Sequence, residues 1–265
     1  MDKTRLEHIE LGKTGLMISP LGLGTVKFGR NEQVKYPQSF EIPDEDFLAD
    51  LLSLAQDLGV NMLDTAPAYG ASEERLGRLL KGQRKDWVIV GKAGEEFENS
   101  QSHYDFTPDH FKRSLERSLK RLDTDYIDML LIHSDGSDMD ILNNDKLIRT
   151  LEDFKTQGLV RAIGASTKTV KGGIKTLELM DVVMASYNPL HKDEEPVLDY
   201  AAQNNKGAIL KKALSSGHIT DPQEAFDFAF SHKGTSGIIV GTINPEHLKQ
   251  NVSSAQKAIV KYQKP

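Results

Sequence analysis

The chain has 265 residues, 38% hydrophobic and 27% charged, enough to bury one large α/β core. A formal net charge of -6 gives no basic face for nucleic acid, and the absence of cysteine excludes disulfides, zinc–thiolate sites and a cysteine nucleophile. No stretch reaches the roughly 18 unbroken apolar residues of a membrane helix, and the start lacks a signal's apolar core, so a cytoplasmic protein is expected.

In chain order, residues 6–19 form two short extended runs around Gly12-Lys-Thr-Gly15, a hairpin signal. A strand at Pro20 to Thr25 and a polar loop over 29–43 follow. Asp44 then caps a helix whose apolar face is Phe47, Leu48, Leu51, Leu54, Ala55 and Leu58, stopped by Gly59. Val60 to Asp64 reads as a buried strand leaving into a turn at Thr65 to Gly70, after which Ser72 is expected to cap a helix with Leu76, Leu79 and Leu80. Trp87 to Gly91 is a strand with Lys92 at its end. A loop of about fifteen residues then reaches Thr107-Pro108, an N-cap with proline at the first helical position. Strands at Tyr126–Ile132, Val160–Ala165, Val182–Tyr187, Ala208–Leu210 and Gly237–Val240 alternate with helices around Leu151, Leu177, Pro196–Asn204 and Phe226, and Asn244-Pro245 opens a last helix.

About eight strand-then-helix units, with no linker between them, predict one (β/α)8 barrel domain over residues 1–265, its bottom closed by the N-terminal hairpin. A doubly wound sheet would want a glycine fingerprint; Leu21-Gly-Leu-Gly24 lacks the third glycine and precedes a loop.

On such a barrel the strand ends share one mouth, and Asp64 with Tyr69, Lys92 and His133 all stand just past strands. Singly, each has a bland reading: a turn acid, a packing ring, a solvated charge, a core histidine. Together they make an acid from a tyrosine. A phenol titrates near pH ~10, and an adjacent Lys92 ammonium is expected to lower that value. Asp64 would pair with Lys92, and His133 would bond Tyr69 or a substrate oxygen. Protonating an alkoxide as a carbonyl is reduced needs a hydride, and no side chain donates one, so a cofactor is required.

Asp64-Thr-Ala-Pro-Ala-Tyr-Gly70, Gly91-Lys-Ala-Gly94 and Asp125-Tyr-Ile-Asp-Met-Leu-Leu-Ile-His133 resemble the aldo-keto reductase family. So do Leu21 to Thr25, Tyr104 to Pro108, Ser114 to Leu122 and Gly158 to Ser166, in order along most of the chain. The resemblance implies the (β/α)8 barrel, a nicotinamide cofactor (usually NADPH), and the tetrad Asp64, Tyr69, Lys92 and His133, with Tyr69 as the general acid. It also implies cofactor contacts from Gly24, Thr25, Asp64, Ser166, Thr167, Leu210, Lys211, Gly241, Thr242, Asn244, His247, Gln250 and Asn251. No metal site is expected.

Several cofactor positions depart from the family's pattern. Ser166-Thr167 stands where Ser-Asn is common, Met184 where a glutamine is common, and Leu210-Lys-Lys-Ala213 where a stacking aromatic precedes Ser-Pro-Leu. Lys211 or Lys212 would face the pyrophosphate. The final helix's free N–H groups suit an anion, but Gly241 and His247 replace frequent cations, so NADPH is expected with NADH possible. Val26, Phe28, Tyr69, Trp87, His133 and residues 95–106 are candidates for an apolar substrate pocket, left open because the chain ends soon after its last helix. A monomer acting on a small-molecule carbonyl, without nucleic acid or membrane, is the expectation. A nicotinamide-binding regulatory or sensor protein with little turnover is the alternative, and a Schiff-base aldolase using Lys92 is a third reading.

Overall fold

The computed structural model describes residues 5–263. The hairpin is present: β1 (Ile9–Glu10) and β2 (Met17–Ile18) pair antiparallel, Ile9 opposite Ile18. Leu11, Leu16 and Ile18 are buried with Met62, Val88 and Val182 from the N-terminal ends of three barrel strands, so the hairpin plugs the bottom.

From there the chain runs β3 (Leu21–Gly24), the one-turn helix α1 (Val26–Gly29), α2 (Glu45–Asp57), β4 (Met62–Asp64) and α3 (Ser72–Leu79). Next come β5 (Val88–Ala93), a second hairpin of β6 (Glu95–Glu98) and β7 (Gln101–Tyr104), α4 (Pro108–Arg121) and β8 (Ile127–His133). Two helices follow, α5 (Asp138–Leu142) and α6 (Asp145–Thr156), then β9 (Val160–Ser166), α7 (Val170–Leu179) and β10 (Val182–Ser186). The chain ends with α8 (Glu195–Asn204), β11 (Gly207–Lys211), α9 (Pro222–Ser231), β12 (Gly237–Val240) and α10 (Pro245–Tyr262). The strands β3, β4, β5, β8, β9, β10, β11 and β12 pair in parallel, in that order, and close into a barrel.

Period-two alternation sorts the core into two layers. Met62, Val88, Val90, Met129, Leu131, Ala162, Val182, Met184 and Ile209 fill the barrel's inside. Leu63, Ile89, Leu130, Ile132, Ile163, Val183 and Leu210 point outward against the helices. Continuing the inward set up each strand arrives at Asp64, Lys92, His133, Ser166 and Lys211, so one parity rule delivers the polar residues to the mouth.

Four local expectations change. Phe47 is 40% exposed, off the face that packs α2 on the barrel. Ala71, not Ser72, is the N-cap of α3; Ser72 is buried and uses its hydroxyl elsewhere. Residues 95–104 are not loop but the β6–β7 hairpin, whose polar residues hide the strand period. The short helix α5 lies in what read as connection between β8 and α6. Among the described residues no helix is long and apolar enough to cross a membrane.

Candidate active site

Asp64 closes β4, Lys92 is the penultimate residue of β5 and His133 closes β8. Tyr69 ends a 3₁₀ turn, Pro67–Tyr69, just beyond β4. That turn is held from below by hydroxyls. Thr25 Oγ1 donates to the Asp64 carbonyl at 2.8 Å, and Ser72 Oγ lies 2.7 Å from Thr25 Oγ1 and 3.0 Å from Thr65 Oγ1. From the side, Arg30 donates to the Ala68 carbonyl at 3.0 Å and stacks on Phe97 of β6. Backbone also meets backbone here. A Cβ on Gly29 would lie 2.5 Å from the Tyr69 carbonyl oxygen, and one on Gly70 (φ +62°) would collide with the Gly29 carbonyl.

The four predicted residues converge. Lys92 Nζ forms a buried ion pair with Asp64 Oδ1, and donates to the Tyr69 hydroxyl and the Thr65 carbonyl, each at 3.2 Å. The Tyr69 hydroxyl in turn donates to Asp64 Oδ2 at 3.3 Å. His133 stands edge-on to the Tyr69 ring, centroids 6.3 Å apart. A fifth group, unread in the sequence, joins them: Glu95 Oε2 lies 2.9 Å from His133 Nδ1.

The phenol does not behave as expected. Burial, with the negative fields of Asp64, Tyr36 and Glu95 and the hydrogen bond to Asp64, pushes Tyr69 well above its ordinary value. The lysine charge is already paired with Asp64, whose second oxygen takes the phenol's proton in a hydrogen bond. Burial also raises Glu95, but His133, Ser102 and Arg30 outweigh it and bring its carboxyl to about 2. His133 itself is lowered, by burial first and then by Lys92 and Lys211, against the pull of Glu95.

These residues face a cavity of about 670 Å³, within the range of small-molecule sites. Gly24, Val26, Ser166, Met184, Lys211, Lys212, Gly241, Thr242, His247, Gln250 and Asn251 line it too, so it runs from the tetrad to the start of α10. Tyr36, from the polar loop, also lines it; its hydroxyl would meet a Cβ at Gly241, and burial with Asp64's charge pushes it up to about 12. Lys211 Nζ donates to Ser166 Oγ at 2.8 Å and to the Thr167 carbonyl at 2.7 Å. Burial and the neighbouring lysines, opposed by Glu194, lower Lys211 to about 7.

Other expected contacts lie elsewhere. Leu210 faces the helices, because the alternation gives the mouth to Lys211 instead. Phe28, within α1, is fully buried, and Trp87 precedes β5 at the opposite end of the barrel, so neither lines a pocket at the mouth. Thr25 spends its hydroxyl on the backbone of Asp64. Asn244 Oδ1 accepts from Glu246 N and His247 N, so two first-turn donors of α10 expected to be free for an anion are occupied. Thr167 Oγ1 is buried beside the cavity wall with no hydrogen-bond partner among the described residues.

A closed parallel barrel carrying an Asp–Tyr–Lys–His group at its C-terminal mouth defines a barrel protein equipped for proton transfer. The chain belongs to the aldo/keto reductase family, whose model matches residues 20–225. It is 51% identical to PA4992 of Pseudomonas aeruginosa, with a TM-score of 0.90 over 97% of both chains. It is 29% identical to the aldo-keto reductase YhdN of Bacillus subtilis across 81% of this chain, and spans 64% of that protein's length. It is also 26% identical to the NADH-specific methylglyoxal reductase of Escherichia coli, across 81% of this chain and 71% of that protein.

Proposed function

We propose that the protein, as one barrel domain, reduces aldehydes and ketones to alcohols, with hydride from a nicotinamide cofactor and the proton from Tyr69. The observation that carries this reading is the Tyr69 hydroxyl, within hydrogen-bond reach of both Lys92 and Asp64 at one end of a cavity long enough for a second ligand.

The residues present suit a nicotinamide dinucleotide. The Ser166 hydroxyl and the basic groups of Lys168, Lys211 and Lys212 line the cavity and suit an amide and a pyrophosphate, and Thr167 Oγ1, next to Ser166, is a buried hydroxyl still without a partner among the described residues. His247, Gln250 and Asn251 would meet the far end. His247 lines the cavity where arginine or lysine would place a permanent cation, which favours acceptance of NADH beside NADPH; the NADH-specific relative is consistent with that. When bound, a reduced nicotinamide supplies the hydride.

Tyr69 supplies the proton. Its raised value keeps it a neutral phenol across the ordinary pH range, so the acid is always loaded. An alkoxide is a far stronger base than a phenolate, and transfer runs downhill even from this tyrosine. The phenolate left behind lies 3.2 Å from Lys92 Nζ, and Asp64 fixes that ammonium in place. Lys92 thus acts after the transfer, by receiving the new charge, rather than before it by loosening the proton.

Fluorescence titration with NADPH and NADH, followed by loss of cofactor absorbance with a panel of simple aldehydes, tests the reading. Binding with aldehyde-dependent decay supports it. Tight binding with no decay on any carbonyl would favour the sensor alternative.

A further inference from the structure

Glu95 sits where the barrel itself needs no charge. It opens β6, on the hairpin beside the Tyr69 turn, and lines the same cavity as His133. Its Oε1 accepts from Ser102 Oγ at 2.6 Å, across the hairpin, which leaves Oε2 beside the imidazole. The next residue, Glu96, turns the other way to His110 and Arg117 of α4. Strand alternation therefore aims Glu95 inward, and cross-strand bonding holds it there. Nδ1 of His133 is shut off from solvent, and the 2.9 Å contact to Oε2 is bent away from the line of an N–H bond. Nε2 has no protein partner among the described residues, while the ring lines the cavity.

We infer that Glu95 is a positioning residue for His133: it keeps the ring proton on Nδ1, so that Nε2 carries a proton toward the cavity only when the ring is an imidazolium. A carboxylate 2.9 Å from a ring nitrogen repels the tautomer that turns a lone pair toward it. With Nδ1 protonated, a neutral ring presents a bare Nε2 to the cavity. That lone pair repels a carbonyl oxygen and accepts from an alcohol. An imidazolium presents Nε2–H, which a carbonyl oxygen accepts.

The consequence rests on the carbonyl reductase reading. His133 keeps its proton and donates only a hydrogen bond; the proton that moves is that of Tyr69. The groups facing the ring are Glu95 from β6, Lys92 from β5, Lys211 from β11 and Tyr69 from its turn, with Arg30 and Tyr104 flanking Glu95. Burial and the two lysines favour the neutral ring, Glu95 the charged one. Carbonyl reduction is therefore fastest below the His133 ionisation and falls as pH rises through it. Alcohol oxidation has the opposite sign.

The test is ¹⁵N-resolved NMR of His133 across pH in the wild type and in Glu95→Gln, beside pH profiles of carbonyl reduction. The wild type should show Nδ1–H as its neutral tautomer. Glu95→Gln should lower the ionisation by about one unit or more, the worth of an adjacent opposite charge, populate the Nε2–H form and shift the reduction profile with it. A wild-type neutral ring protonated on Nε2 would overturn the inference, even if the variant fails to fold. So would a variant with unchanged tautomer and ionisation, or a reduction profile that ignores the ionisation seen by NMR. An Nδ1–H ring in a protein that reduces no carbonyl supports the Glu95–His133 pairing and overturns the reductase reading instead.

Discussion

On the β4–β5–β8 side of the mouth the polar groups already meet one another: Lys92 bonds Asp64 and Thr65, Tyr69 bonds Lys92 and Asp64, and His133 lies 2.9 Å from Glu95. On the β9–β12 side the lining includes Met184, the three lysines Lys168, Lys211 and Lys212, and the polar residues His247, Gln250 and Asn251, and nearby a buried hydroxyl at Thr167 is left without a partner among the described residues. The first side is pre-assembled chemistry, whose groups need no ligand to find one another. The second is a receptacle whose polarity is completed by what it receives. Substitutions should accordingly damage turnover on one side and ligand preference on the other.

The largest effect belongs to Tyr69→Phe. It should retain cofactor affinity by fluorescence titration and lose on the order of 10²-fold to 10⁴-fold in carbonyl reduction, the usual worth of a general acid. Unchanged turnover would remove Tyr69 from its role. Lys92→Met should lose comparable activity and, unlike Tyr69→Phe, also stability. It strands the Asp64 carboxylate, which is 4% exposed, and losing one partner of a buried pair costs about 3–5 kcal/mol, readable in urea unfolding. Equal stability in the two variants would mean that solvent reaches Asp64.

On the other side, changes should be gentler. His247→Arg places a permanent cation on the cavity wall and should improve the ratio of NADPH to NADH affinity by roughly tenfold, the scale of one charge-assisted contact, with little change in turnover. An unaltered ratio would exclude residue 247 from cofactor discrimination. The smallest effect is expected from Asn244→Ala. It removes the cap of α10 and should cost about 1 kcal/mol of stability, while freeing the Glu246 and His247 N–H groups. Cofactor affinity that falls together with stability would mean that Asn244 touches the ligand after all.

The same contrast governs what the sequence disclosed. Asp64, Lys92 and His133 were legible because strand ends are marked by a change from apolar to polar residues, and barrel topology gathers such ends. Lys211 was half read. Leu210 and Lys211 were both expected as contacts, but neighbours in a strand point to opposite faces, so only Lys211 reaches the mouth. Phe28 and Trp87 misled because an aromatic ring next to turn residues gives no sign of which way it packs; both went to the core. Glu95 stayed hidden because Glu-Glu-Phe-Glu and Gln-Ser-His-Tyr show no apolar period, so a hairpin passed for a loop. Its partner lies 38 positions away, 133 minus 95, and only folding makes them neighbours. Asn244 was rightly placed as a cap, but capping is what withdraws it and two donors from anion binding.

Gly29 and Gly70 do no chemistry, yet their backbones touch beneath the tyrosine. Between them the address of the proton donor is written as empty space. In a survey of all single substitutions they should score with the tetrad, and a chemist scanning for reactive groups would pass over both. Alanine, the mildest change elsewhere, is there a wedge that pries the Tyr69 turn from the end of α1. A designer moving this tetrad to another barrel would have to transplant that vacancy along with the four side chains.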